Sequence, residues 1–199
     1  MTFIRKRDIL TISMLIGTCL TLLTASFSAF AERSGQAQSE VLRLHILPHS
    51  DSEQDQALKE QLRGFIIADT ENRFAGAETL SEAMRLAEIH LPEIQKNAEA
   101  FIREQGYDYA VNAELVNMYF TTRVYENITM PAGNYAALRI TIGAGEGSNW
   151  WCVVFPPLCL PAAAGSEVYF SPEVSGVIET GGRVEVRFKV YEWWTKIFG

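Results

Sequence analysis

Two histidines and two aspartates lie close together early in the chain and could ligate a metal ion. His45, His49, Asp51 and Asp55 fall within eleven residues. Their spacing matches neither a zinc site nor a calcium loop, because they are divided among a predicted strand, the turn after it and a predicted helix. We therefore predict no metal and no cofactor here, and we assign these side chains to helix capping and solvated charge.

Cys152 and Cys159 are the second group that could carry chemistry. An isolated cysteine pair in an exported protein most often forms a disulfide. We therefore predict a disulfide between these two cysteines. Two alternatives stay open, namely a pair of buried thiols, or a cysteine nucleophile with one of the three histidines as its base. A nucleophile at Cys152, or a metal ion at the His45 cluster, would make the chain an exported thiol- or metal-dependent hydrolase, whereas we predict that it is not an enzyme.

A glycine-rich segment, Gly143 to Gly147 (GAGEG), follows a predicted strand as a nucleotide-binding loop would. Position 148 is serine, no lysine follows, and the next segment is a tryptophan-rich strand rather than a helix whose N-terminus could hold phosphate. The segment is therefore predicted to be a hairpin turn.

The first half of the chain is predicted to be one strand followed by three helices. The strand spans Val41 to Leu47 and ends at Pro48. Each helix has a start signal typical of its position. These signals are a Ser50–Glu53 capping box for a helix starting near Asp51, a Thr79–Glu82 capping box for the second helix, and Pro92 at the first position of the third.

After Gly106 the apolar residues alternate with period two, which is typical of strands. The fold class is therefore α+β, with a mainly antiparallel sheet of about four strands and a C-terminal helix. The strands are predicted from Tyr109 onward, at Tyr119–Tyr125, at Ala136–Ile142 and at Trp150–Phe155, and the helix carries Trp193, Trp194 and Ile197.

The N-terminus has the features of a signal peptide. Three basic residues precede an apolar run from Ile9 to Phe30, and Ala29 and Ala31 are the small residues of a cleavage site. We predict cleavage after Ala31, with an uncleaved membrane anchor as the alternative, because the run is long enough to cross a bilayer. Either interpretation places the remainder outside the cytoplasm. Residues 32–40 are then a flexible spacer, and residues 41–199 a single α+β domain.

The net charge of the exported part limits the classes of partner that it can bind. Three basic residues and one acidic residue lie in positions 1–31, so 14 basic and 23 acidic residues remain, a net charge of −9. An acidic protein is a poor ligand for nucleic acid or for anionic lipid. We therefore expect membrane contact only through the N-terminal segment or through a protein partner.

Two long stretches of the chain resemble the stage II sporulation protein R family of endospore-forming bacteria. The first, residues 42–63, contains RLHILPHSDSEQDQALKEQLR, and the second, residues 132–160, is AGNYAALRITIGAGEGSNWWCVVFPPLCL. The chain departs from the family at Leu44, where an aromatic residue is usual, and at Pro48–His49, where Ala-Asn is common. Its match to the motif includes Ser52, Asn149 to Cys152 and Phe155 to Cys159.

The resemblance implies a function. A member of this family would be exported into the space between forespore and mother cell, where it activates a membrane-bound aspartic protease that processes the sigma-E precursor. It would act as a ligand, without a small-molecule substrate. We predict that the partner contacts the first helix and the residues before it, with capping and pairing within the helix as the alternative role. The predicted partner-binding residues are His45, Ser50, Asp51, Asp55, Gln56, Lys59 and Arg63.

Overall fold

The computed structural model describes residues 6–125, 128–156, 193, 194 and 197. Its order of elements is a long helix, a strand, two helices and then five strands, which confirms the α+β class. The helices are α1 (Lys6–Ser39), α2 (Glu53–Arg73) and α3 (Leu80–Glu104). The strands are β1 (Leu42–Leu47), β2 (Val111–Phe120), β3 (Arg123–Tyr125), β4 (Ile128–Met130), β5 (Gly133–Ile142) and β6 (Trp150–Phe155).

Four of the strands form one sheet in the order β2-β5-β1-β6, and β3 pairs with β4 in a separate ribbon. The prediction of a mainly antiparallel sheet holds for β2–β5 and β1–β6, but the central pair β1–β5 is parallel. A parallel pair needs a long crossover connection. Here α2, α3 and β2 lie between β1 and β5 along the chain, and this connection lets the two central strands run in the same direction.

The main core lies between one face of this sheet and helices α2 and α3. Leu42, Leu44 and Ile46 alternate along β1 and are fully buried on that face. They meet the apolar stripe of α2, which includes Leu58, Leu62 and Ile66. A second, smaller cluster lies on the opposite face of the sheet and is formed by Ala37, Val41, Phe120, Met130, Tyr135, Ala137 and Val153.

The prediction of a separate third helix beginning at Pro92 is wrong, because α3 runs without a break from Leu80 to Glu104 with Pro92 inside it. Proline in a helix removes one hydrogen bond to the carbonyl four residues earlier. Pro92 and Glu88 are both exposed, so water can solvate the freed carbonyl. The predicted capping box is confirmed, with Thr79 and Glu82 each accepting a hydrogen bond from the backbone of the other.

Helix α1 includes the predicted signal segment and extends past it. From Ile9 it contains an apolar stretch long enough to span a membrane, and most of its large apolar side chains are exposed. The helix continues to Ser39, so residues 32–39 are not the flexible spacer that we expected. The physical reason is packing, since the small side chains of Ser34 and Ala37 are fully buried. Cleavage after Ala31 stays a prediction.

Two further predictions concern the C-terminal part of the chain. Trp193, Trp194 and Ile197 are helical, as predicted, but the rest of the predicted C-terminal helix lies outside the described residues. Cys159 also lies outside them, while Cys152 is buried on β6. The Cys152–Cys159 disulfide therefore stays a prediction.

Candidate functional site

Three segments meet at the C-terminal end of β1 and form what we call the turn–loop cluster. They are the turn after β1 (residues 48–52), the first two turns of α2, and the loop between β5 and β6 (residues 143–149). Because β1 lies between β5 and β6, this loop crosses over the end of β1. The predicted hairpin turn at Gly143–Gly147 is therefore wrong, since the strands that it joins are not neighbours.

The backbones of the turn and the loop are in direct contact. The amide N–H of Glu146 donates to the carbonyl of His49 at 3.3 Å, and that of Gly147 donates to the carbonyl of Pro48 at 3.2 Å. The imidazole Nδ1 of His49 accepts a third hydrogen bond from the Ala144 amide at 3.0 Å. This engagement gives His49 a structural role in the described part of the chain.

Glycine is needed where the loop meets the turn. A Cβ at Gly147 would overlap the carbonyl oxygen of Ser50 and lie 2.8 Å from Cγ of Pro48. Gly143 has φ +56°, a left-handed conformation that favours glycine, and a Cβ there would overlap the His49 ring. The glycines at 143, 145 and 147 therefore allow close approach, a role that their regular spacing could have indicated in the sequence.

Ser52, and not Ser50, is the N-cap of α2. Its side chain accepts a hydrogen bond from the Asp55 amide at 3.1 Å. The predicted Ser50–Glu53 capping box is wrong because the Ser50 hydroxyl instead donates to the Asp55 carboxylate at 2.5 Å. Asp55 therefore connects the turn to the helix from a buried position, 4% exposed.

Asp51 and Asp55 are held in their ionised forms by different surroundings. Burial acts to raise the pKa of Asp55, but hydrogen bonds from Ser50, Ser52 and Tyr109 outweigh it and leave that pKa below its ordinary value. The Ser148 backbone N–H donates to Oδ1 of Asp51 and lowers the pKa of that exposed carboxyl. Both carboxylates thus bind neighbouring segments most strongly when they are charged.

Lys59 closes the cluster from the second turn of α2. Its ammonium group donates to the Ser148 carbonyl at 3.1 Å and to Oε1 of Gln56 at 2.6 Å. Gln56 in turn donates to the Ser50 carbonyl at 3.2 Å and to the Asp51 carboxylate at 3.1 Å. Lys59 is only 5% exposed, so its main contribution is to hold the loop against the helix.

Replacing Lys59 with methionine should therefore destabilise the fold by about 1–2 kcal/mol, because the loop carbonyl loses a charged donor while the apolar stem is kept. Urea unfolding of the full chain in non-ionic detergent, followed by tryptophan fluorescence, measures the change. Lys96→Met is the matched control, since Lys96 is an exposed helical lysine. Equal midpoints for the two variants would contradict the role of Lys59.

The structure does not bring His45 into this cluster. His45 is 3% exposed on the opposite face of the sheet from α2, and its ring stacks on Trp151 with centroids 4.1 Å apart. Burial, and then the charge of Arg139, lower its pKa to about 4. Arg63 is also separate from the cluster, since its guanidinium lies 4.4 Å from the centre of the Trp150 ring and pairs with Glu60 at 3.1 Å.

Of the predicted partner-binding residues, the structure therefore brings together Ser50, Asp51, Asp55, Gln56 and Lys59. Sequence reasoning missed the loop residue Ser148 and the aromatic Tyr109, which stacks on His49 with centroids 4.4 Å apart. No group of three or more metal-ligating side chains occurs among the described residues. His45 is buried on the face of the sheet opposite α2, which separates it from Asp51 and Asp55 at the start of that helix.

These features define a class of protein, an α+β domain that follows a membrane-length apolar helix and carries a polar turn–loop cluster. Residues 38–164 match the family described as stage II sporulation protein R, and the chain belongs to that family. Its role is therefore in sporulation. A relative in Bacillus subtilis (strain 168), named stage II sporulation protein R, is 38% identical over 120 residues. The match covers 60% of this chain and 54% of the relative. No solved structure matches the chain.

Proposed function

We propose that the chain is an exported signalling protein that activates a membrane-embedded aspartic protease, which then processes the sigma-E precursor in the mother cell. The observation that carries this proposal is the family match across residues 38–164, which includes the sheet, α2, α3 and the turn–loop cluster. The proposal extends the family's sporulation role to a particular partner and a particular place.

Helix α1 supports export. Its apolar stretch follows a basic cluster at residues 5–7, and positive residues stay on the cytoplasmic side of a membrane. The domain after α1 then lies outside the cytoplasm, whether or not the segment is cut at Ala31. From the space between forespore and mother cell the domain can reach a protease in the facing membrane.

The surroundings of the three histidines favour action by contact rather than by catalysis. His45 is buried with a pKa of about 4, and His49 accepts a hydrogen bond from the loop backbone. His90 lies within 3.6 Å of Glu93 and 3.2 Å of Arg73, in an ion-pair network between α2 and α3. Each ring thus contributes to the fold. This supports a protein that acts through contacts made by its surface.

We place the contact surface on the exposed side of the turn–loop cluster. Asp51, Ser52, Glu53 and Gln54 are all exposed around the start of α2. Asp55 and Lys59 are buried beneath them, so these two side chains would shape the surface rather than touch the partner. The surface is acidic, and a basic patch on the outer side of the protease would complement it.

Co-expression of the full chain with the protease and the precursor in a bacterium that does not sporulate tests this function. We expect precursor cleavage on an immunoblot, and no cleavage when residues 1–31 are deleted so that the domain stays inside. Reversing the charge at Glu53 with lysine should reduce cleavage at least about fivefold, because a central interface residue is altered. Glu88→Lys, the same charge reversal at an exposed position on α3, should leave cleavage unaltered.

The outcomes separate the two parts of the proposal. Absence of cleavage despite export of folded chain would contradict protease activation itself. Cleavage with equal activity of the Glu53→Lys and Glu88→Lys variants would keep activation and overturn the assignment of its surface.

A further inference from the structure

In the part of the chain that the structure describes, strand β2 forms one edge of the sheet and lacks most of the usual protections against pairing with another strand. It pairs with β5 over all ten residues from Val111 to Phe120 without a bulge. Its sequence has neither lysine nor proline, and its single charge, Glu114, pairs with Arg139 of β5 at 2.8 Å. Proteins normally shorten, charge or bend such an edge, because its free backbone groups are a template for another strand.

The hydrogen bonds show which backbone groups face outward. The Ala110 carbonyl accepts a hydrogen bond from the amide N–H of Gly143, which directly follows β5. The backbone N–H and C=O groups of the even-numbered residues of β2 therefore face β5. The backbone N–H and C=O groups of the odd-numbered residues Ala113, Leu115 and Asn117 therefore point away from β5, toward the open edge of the sheet. Among the described residues, the backbone groups of Leu115 and Asn117 on this outer edge make no hydrogen bond.

A side chain already occupies one position of this edge as a peptide strand would. The amide N–H of Ala113 donates to Oε1 of Gln95, on α3, at 3.2 Å. The carboxamide oxygen of Gln95 thus takes the place of a peptide carbonyl. Helix α3 packs along β2, and the groove between them is lined by Leu91, Pro92, Gln95, Lys96, Glu99 and Ala113.

The position of α3 determines whether the outer edge of β2 can pair with a single peptide strand or with a second copy of this chain. Strands in a sheet are roughly 4.8 Å apart, whereas a helix with its side chains is about 10 Å wide. Two copies pairing through β2 in the antiparallel sense would bring two α3 helices onto the same face above adjacent strands, where they would overlap. A single extended segment has no such helix and fits beside α3.

We propose that the groove between α3 and the outer edge of β2 binds an extended peptide segment of a partner protein, which adds a fifth strand to the sheet. Its backbone pairs with Leu115 and Asn117, and its small apolar side chains face Leu91 and Pro92. An acidic side chain pairs with Lys96, an exposed cation that has no ion pair among the described residues. This surface lies on another part of the domain from the turn–loop cluster and is independent of protease activation.

Selection of random phage-displayed dodecapeptides on the full chain in detergent micelles tests the proposal. We expect enriched peptides that alternate apolar and polar residues, lack proline in that stretch and contain an acidic residue. Asn117→Pro removes one outward N–H and leaves the pairing with β5 intact, as edge strands permit. It should weaken a selected peptide about tenfold by fluorescence anisotropy. Asn117→Thr retains the N–H and should bind unchanged.

Lys96→Glu provides a second, independent variant. It should weaken peptides that carry the acidic residue, and replacing that residue with lysine should restore their binding. Thermal unfolding followed by circular dichroism verifies that each variant is folded. Failure to enrich any peptide over empty micelles would overturn the proposal, as would equal affinity for the Asn117→Pro and Asn117→Thr chains.

Discussion

Replacing Gly147 with alanine is expected to destabilise the fold by about 2–3 kcal/mol and to abolish signalling. A Cβ at this position would overlap the Ser50 carbonyl oxygen and would approach both the Ser50 carbonyl carbon and the Pro48 ring. Two of these three atoms are backbone, so no side-chain rotation can relieve the overlap. The loop must then separate from the turn, which breaks the hydrogen bond from Gly147 to the Pro48 carbonyl.

Gly64→Ala is the matched control for this prediction. Gly64 lies inside α2 and is exposed, and a Cβ added there would have no neighbouring atom within 4 Å. Alanine there should stabilise the chain by about 0.5–1 kcal/mol, because it favours the helix. Urea unfolding of both full-length variants in detergent, together with the precursor-cleavage assay, measures the contrast. A Gly147→Ala chain as stable as the unsubstituted chain would contradict the tight contact between loop and turn.

Acid is expected to destabilise the protein through His45 by about 3 kcal/mol in total. The pKa of His45 falls from its ordinary 6.5 to about 4 in the fold. Between these values the unfolded chain binds a proton that the folded chain excludes. The contribution is therefore fully present above pH 6.5 and is lost progressively as the pH falls toward 4.

The surroundings of His45 explain why the fold excludes this proton. Neither of its ring nitrogens has a hydrogen-bond partner among the described residues, and the ring is 3% exposed. Arg139 lies opposite His45 on β5, and Arg43 lies two residues earlier on the same strand. The nearest carboxylate on β2, that of Glu114, is already paired with Arg139. A charged imidazole would thus be buried without a hydrogen-bond partner among the described residues and would be opposed by the charge of Arg139.

Unfolding free energies measured in urea between about pH 7.5 and 4.5 test the role of His45, since this interval covers most of the pH range over which the linkage acts. His45→Gln removes the titrating ring and should flatten the dependence over that interval, whatever its effect at neutral pH. A glutamine variant that lost stability in acid as steeply as the parent chain would assign the effect to other groups. The carboxyls of Asp51 and Asp55, whose pKa values are lowered, contribute at lower pH.

Local signals predicted the separate elements well. The apolar runs at β1, β5 and β6 indicated strands, and the capping box at Thr79 and Glu82 marked the start of α3. Pro92 misled the prediction because proline is enriched at the first position of a helix and disfavoured inside one, whereas here it lies within α3. The difference depends on packing of the flanking residues, with Ile94 fully buried, and this is a tertiary property.

The arrangement of the site could be predicted only in part. Polar residues after β1 indicated a functional surface, but their partners in the loop at residues 143–149 are about 90 positions away along the chain. Only the crossover over β1 brings the two segments together, and strand order cannot be read from strand patterns. Burial of the charged side chains Asp55, Lys59 and Arg43 was missed for the same reason.

We propose that this chain signals by contact from outside the membrane, and the side on which it acts can be measured directly. Vesicles carrying the protease, with the precursor on the side that corresponds to the mother-cell cytoplasm, allow full-length chain in micelles to be added to either side alone. We expect precursor cleavage only when the chain is on the side opposite the precursor. Equal cleavage from both sides, or cleavage only from the side of the precursor, would contradict it.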